Sequence, residues 1–157
     1  VKIMIKGNYN ILYIKWQSEF VAVGCLTSDD FNEEVEMIDV NRDSTAWRTR
    51  IPTNQSYNFS FDGLVKNTNF IGGDSSKISL DRLRVLKRSN TLIEWQMQTP
   101  NNNLLLVDKG FGYITSLSKN SNIDEFITFN ATIEGFGIPL NFYSRLINLQ
   151  NKLQHTL

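Results

Sequence analysis

Two stretches of strict alternation constrain this chain more than any other feature. Over 57–61, Tyr57, Phe59 and Phe61 alternate with Asn58 and Ser60, and Asp62-Gly63 follows. Over 127–134, Ile127, Phe129, Ala131 and Ile133 alternate with Thr128, Asn130, Thr132 and Glu134, and Gly135 follows. A period of two sends successive side chains to opposite faces of a pleated strand, whereas a helix would scatter them around its axis. Each stretch therefore reads as a half-buried antiparallel strand, apolar toward a core and polar on the other side. Neither polar face contains a lysine or arginine.

The rest of the chain fits a mainly β domain, a β-sandwich or roll of two packed antiparallel sheets. Short apolar segments separated by polar clusters predict strands near 2–6, 10–16, 19–25, 33–40, 56–65, 91–98, 103–107, 111–118 and 125–135. A helix interrupts them at about 79–89. Ser79 can cap it, Ile78 and Leu83 occupy staple positions, and Leu80, Leu83 and Leu86 form a stripe opposite Arg82, Arg84, Lys87 and Arg88. After Pro139, the spacing of Phe142, Leu146, Leu149, Leu153 and Leu157 predicts a second, amphipathic helix at about 141–155. The organisation expected is a β domain over 1–140 and an amphipathic extension over 141–157.

At 157 residues, the chain is long enough for one core and too short for two full-size domains. Lys plus Arg is 16 and Asp plus Glu is 16, so no net field gathers nucleic acid or anionic lipid. The even total also leaves little repulsion between copies. It conceals two blocks. Residues 26–45 carry seven acids against Arg42, while 77–88 carries Lys77, Arg82, Arg84, Lys87 and Arg88 against Asp81. Each block reads either as a solvated face or as half of a contact between copies.

Catalysis finds little to work with. Cys25 is the one cysteine, so no intramolecular disulfide can form, and His155, the one histidine, lies in the last three residues of the sequence. Ser-His-Asp chemistry and a Cys/His zinc site both lack members. Glu34 and Glu36 share a strand face, but that spacing is common in exposed strands and does not make a glycosidase pair. Gly72-Gly73 lacks the lysine of a phosphate loop, and no calcium-loop spacing is present. The expectation is a protein without catalytic residues, metal or cofactor. Apolar runs are too short for a membrane-spanning helix, and no signal-like stretch precedes Lys6, so a soluble protein is expected.

Three polar loops stand out, at 41–56, 67–77 and 99–103. The first is longer than a hairpin needs, and its apolar members are Ala46, Trp47 and Ile51. Trp47 is the residue to assign to an interface. A competing reading is a monomeric β-sandwich that binds carbohydrate through Trp16, Trp47, Trp95 and the 67–77 loop.

The order of these motifs resembles the major tail, or tail tube, proteins of long-tailed bacteriophages. The resemblance covers roughly 10–140. It rests on Val23-Gly24-Cys25, on Glu36-Met37-Ile38-Asp39-Val40 leading to Arg42-Asp43-Ser44 and Trp47, and on Phe59-Ser60-Phe61-Asp62-Gly63-Leu64. Near the end it adds Gly112-Tyr113-Ile114-Thr115-Ser116-Leu117 and Thr128-Phe129-Asn130-Ala131-Thr132-Ile133-Glu134-Gly135. It implies a structural virion subunit, assembled in the host cytoplasm, that forms stacked hexameric rings around a channel for DNA ejection. The partners implied are copies of itself, a tape measure protein and passing double-stranded DNA in the lumen, terminator and baseplate or tip proteins, and in some tails a sheath.

Under this resemblance the polar strand faces would line the lumen. Asn58, Ser60, Asp62, Thr128, Asn130, Thr132 and Glu134 would meet DNA, with Glu34 and Glu36 as further candidates. The loop with Arg42, Asp43, Trp47, Arg48, Arg50 and Asn54 would reach the adjoining ring. The basic helix surface of Arg82, Arg84, Lys87 and Arg88 would face away from DNA.

Overall fold

A computed structural model describes residues 10–24, 26–40, 47–65, 76–101 and 104–145. Seven strands and one helix follow in the order β1 (Ile11–Trp16), β2 (Glu19–Ala22), β3 (Leu26–Asp39), β4 (Arg50–Leu64), α1 (Leu80–Arg88), β5 (Ile93–Asn101), β6 (Leu104–Asn120) and β7 (Thr128–Arg145). The architecture is mainly β, and every strand pair is antiparallel.

The expected pair of packed sheets is replaced by one continuous seven-stranded sheet, in the order β2-β1-β5-β6-β7-β4-β3. That sheet rolls over on itself. In a flat sheet β5 and β4, three strand spacings apart, would lie about 14 Å from each other. Yet the rings of Trp95 on β5 and Phe59 on β4 have centroids 4.6 Å apart, and Phe31 on β3 lies 6.0 Å from Trp95. Polar contacts follow the same curl. Asn10 accepts from Thr99 Oγ1 at 2.7 Å and donates to Asp29 at 3.4 Å, linking the end of β5 to the edge strand β3.

The alternating residues explain where the core lies. Tyr57, Phe59, Phe61, Phe129, Ala131 and Ile133 are all buried, and they share a cluster with Leu12, Ile14, Ile93, Trp95 and Ile114. Helix α1 closes this interior through Leu80, Leu83 and Leu86. Ile78 and Leu83, the staple pair, are fully buried. Ser79 occupies the N-cap position but its side chain makes no capping hydrogen bond. Asp81 in the first turn and Lys87 and Arg88 in the last complement the helix dipole. The β1–β2 turn uses Gln17 and Ser18 at φ of 49° and 69°, the two positive values that a type I′ hairpin needs.

Several expected boundaries shift. The 41–56 loop is shorter than expected, because residues 50–56 are strand and Asp39 pairs with Arg50. Of the expected 99–103 loop, residues 99–101 belong to β5, with Asn101 opposite Leu104, and 102–103 lie outside the described residues. Strands expected at 103–107 and 111–118 are one strand, β6. Residues 141–145, expected to open a C-terminal helix, instead continue β7, with Asn141 opposite Asp108. Hydrogen bonding to the long β6 overrides the helical spacing there. The expected strand at 2–6, most of the 67–77 loop and residues 146–157 lie outside the described residues.

Candidate lumen face and ring-contact surfaces

The side of the sheet away from the core forms a continuous polar surface. Residues directly opposite each other across a ladder share a face, so the register can be followed from strand to strand. Ser28, Asp62, Asn130 and Ser118 form one row across β3, β4, β7 and β6. Asp30, Ser60, Thr132 and Ser116 form the next, and Asn32, Asn58, Glu134 and Tyr113 a third. Glu34 opposite Ser56 extends the surface along the β3–β4 ribbon. Thr128 sits at its far end, opposite Leu64.

The seven residues expected from the alternation lie on this face, and Glu34, one of the two further candidates, lies on its extension. Glu36 stands at an irregularity of β3, where its carboxylate accepts from Asn54 Nδ2 at 3.4 Å. Sequence reasoning missed Ser28, Asp30, Asn32, Tyr113, Ser116 and Ser118. On β6 a register shift between Ile114 and Ser116 breaks the alternation that would have revealed its polar members. On β3 the core-side set is Asp29, Phe31, Glu33 and Val35, so acids interrupt the apolar alternation that would have marked the strand's two faces.

The charge of this face is one-signed. Among the described residues no salt bridge engages Asp30, Glu34, Asp62 or Glu134. Asp62 is held instead by neutral donors, Ser28 Oγ at 2.7 Å on one oxygen and Asn130 Nδ2 at 2.7 Å on the other. Those bonds fix the carboxylate while leaving its charge in place. The basic residues of β3, β4 and β7 are Arg50 and Arg145, both at strand ends, and those of β6 are Lys109 and Lys119, which stand outside the three rows. The cationic block lies on α1, which packs on the opposite, core side of the sheet. There Arg82 lies 5.4 Å from the Trp16 ring centroid and donates to the Lys77 carbonyl.

Beyond Asn58, β4 leaves β7 and pairs with β3 alone, so a two-stranded ribbon projects from the sheet. Asp39 braces its end, accepting from Arg50 Nε at 2.8 Å and approaching Arg48 at 4.0 Å. Trp47 beside them is 87% exposed. Of the residues expected in an inter-ring loop, Trp47 and Arg48 precede β4, Arg50 and Asn54 belong to it, and Arg42 and Asp43 lie outside the described residues. A cleft of about 720 Å³ opens where the ribbon and β7 diverge, lined by Glu33, Val35, Gln55, Tyr57 and Ile138 among others.

The three tryptophans do not form a common platform. Trp95 is buried in the core, Trp16 lies under Arg82, and Trp47 is at the ribbon end. Among the described residues no cluster of three or more His, Cys, Asp or Glu could hold a metal ion. No described helix is long and apolar enough to cross a membrane.

No family model and no curated protein matches this sequence. Solved structures do match its fold. The SPP1 tail tube aligns with a TM-score of 0.68 at 11% identity, over 90% of this chain and 81% of that one. The chain has the fold of a tail tube protein. The tail of an empty gene transfer agent particle, a structure of C6 symmetry, aligns with a TM-score of 0.65 at 16% identity, over 87% of this chain and 98% of that one. A sheath–tube complex of an extracellular contractile injection system gives 0.60 at 14% identity, over 93% and 95%. The tail tube fold thus extends over most of the chain.

Proposed function

We propose that this protein is the structural subunit of a phage or phage-like tail tube, that its copies close into hexameric rings, and that stacked rings form a channel for DNA. The observation that carries this reading is the set of three polar rows across β3, β4, β7 and β6, in which no lysine or arginine stands, on a fold shared with tail tubes. A conduit must not hold its cargo. Each cation on phosphate releases counterions and strengthens binding, so a wall of hydroxyls, amides and carboxylates avoids sticking points and repels the backbone. In this arrangement Asn58, Ser60, Asp62, Thr128, Asn130, Thr132, Glu134, Glu34 and Glu36 line the lumen, and Arg82, Arg84, Lys87 and Arg88 face outward.

The sheet edge supports assembly. β3 is fourteen residues long and, among the described residues, its ladder partner is β4 alone, which leaves its outer side as a sheet edge. An unprotected edge of that length invites pairing with another chain, and closure into a ring would satisfy it. The role is that of a virion component, with a tape measure protein, terminator and baseplate proteins as partners.

The test is electron microscopy of the purified chain at high concentration, followed by ejection from reconstituted particles. Tubes or rings with a central channel are expected. Asn58→Lys with Glu134→Lys, a directly opposed pair on the exposed face, should leave tubes intact and slow DNA release. A chain that stays monomeric at every concentration would overturn the reading, and unchanged ejection would remove this face from the lumen.

A further inference from the structure

Two elements carry charge that the described chain leaves unpaired. Helix α1 bears Arg84, Lys87 and Arg88 on the flank turned away from Arg82, the residue that lies over Trp16. Val85, 55% exposed, stands beside them. On β3 the core-side set alternates acid with apolar, as Asp29, Phe31, Glu33 and Val35, and Phe31 and Val35 remain almost half exposed at the sheet edge. Among the described residues no salt bridge engages Arg84, Lys87, Arg88, Asp29 or Glu33.

Topology decides which of these surfaces can meet. β5 pairs with β6 as far as Gly112, and beyond it the ladder partner of β6, among the described residues, is β7 alone. That stretch of β6 and the outer side of β3 are the two open edges of the four-strand polar face, and they run in opposite directions because the four antiparallel strands alternate. Helix α1 packs against β6 on the core side, where Ile114 shares the buried cluster with Leu80, Leu83 and Leu86.

We infer that within a ring α1 of one copy lies against the core side of β3 of the next, with Arg84, Lys87 and Arg88 on Asp29 and Glu33, and Val85 over Phe31 and Val35. This inference rests on the tube reading. Closing the polar face edge to edge brings β3 beside the open stretch of β6, and the element behind that stretch, on the side away from the lumen, is α1. The contact covers the half-exposed apolar residues of β3 and pairs both sets of charges. Helix against helix would set cation on cation, and β3 against β3 acid on acid. Like charges across an interface suppress those pairings, leaving the heterologous one. A heterologous contact generates a ring when its rotation closes.

A charge exchange in the full chain tests this. Arg84→Glu with Arg88→Glu should raise the concentration at which half the chains enter rings by about tenfold or more, the effect of losing a close interfacial charge pair, while the thermal melt of the monomer stays unchanged. Asp29→Lys with Glu33→Lys should do the same, and combining all four should recover rings. A second measurement needs no substitution. Carbodiimide joins an ammonium to a carboxylate in direct contact. Applied to rings assembled from equal parts of unlabelled and isotope-labelled chain, it should join Lys87 to Asp29 or Glu33 across differently labelled copies, as mass spectrometry of the peptides would show. Rings that form at the wild-type concentration from the Arg84/Arg88 variant, or rings in which Lys87 is joined to neither acid of another copy, would overturn the contact. Wild-type protein that forms no rings would instead overturn the tube reading itself.

Discussion

Gly135 stands opposite Gly112 where the polar face meets the ribbon, and its position is dictated by Tyr57. A Cβ at Gly135 would lie 2.2 Å from two carbons of the Tyr57 ring, whose hydroxyl donates to the Phe111 carbonyl. The ring and the β6 backbone are fixed together, so the methyl cannot be accommodated by a flexible chain end. Gly135→Ala should destabilise by about 1–3 kcal/mol in urea unfolding, the usual cost of overpacking. Asp108 offers a pH-dependent case. Burial pushes its carboxyl pKa up, the hydrogen bond from Asn141 works against that, and Glu33 adds repulsion. A folded-state pKa above the unfolded value means that the ionised form opposes folding, so this residue's penalty is absent at low pH and grows as pH rises through the shifted value. Asp108→Asn keeps an acceptor for Asn141. It should raise stability at neutral pH and lose that advantage below the ordinary aspartate range, as thermal melts across pH would show.

The elements were legible in the sequence to the extent that their neighbours did not bend them. Tyr57, Phe59 and Phe61 predicted both the strand and its buried face, because β4 is flanked on both sides there and its apolar set must be covered. The alternation of 127–134 worked for the same reason. What the sequence could not reveal was which polar residues would stand opposite each other, since Asn58 meets Glu134 through a ladder joining residues far apart in the chain. Nor could it reveal that 104–120 is one strand. Gly110 and Gly112 look like breaks, yet both sit where Tyr57, Trp95 or the β7 backbone comes too close for a side chain. Helix α1 was readable because its stripe, dipole charges and staple agree. Leu83, fully buried against the sheet, holds it. Leu83→Ala should cost about 2–5 kcal/mol through the cavity left behind, measurable by chemical denaturation.

At the scale of the whole molecule, the neutral total divides by location. Carboxylates and neutral polar groups cover one side of the rolled sheet, and the basic helix lies on the other. The resemblance led to the residues proposed to line a lumen, but the sequence did not show that one rolled sheet would carry them, because curvature resides in register shifts and in contacts such as Phe59 on Trp95. Under the proposed tube reading, lysines at Asn58 and Glu134 would slow what passes through the channel and leave the length of the tubes unaltered, which electron microscopy beside an ejection assay would show.

The placement of the two-stranded ribbon and the β6–β7 turn at opposite ends of β4 also gives any filament that stacks the subunits in one sense a direction. Such a column finishes with ribbons at one extremity and with turns at the other. Growth could then start from a seed that matches one surface and be halted by a plug that matches the opposite one, so initiation and capping would call for two unlike proteins.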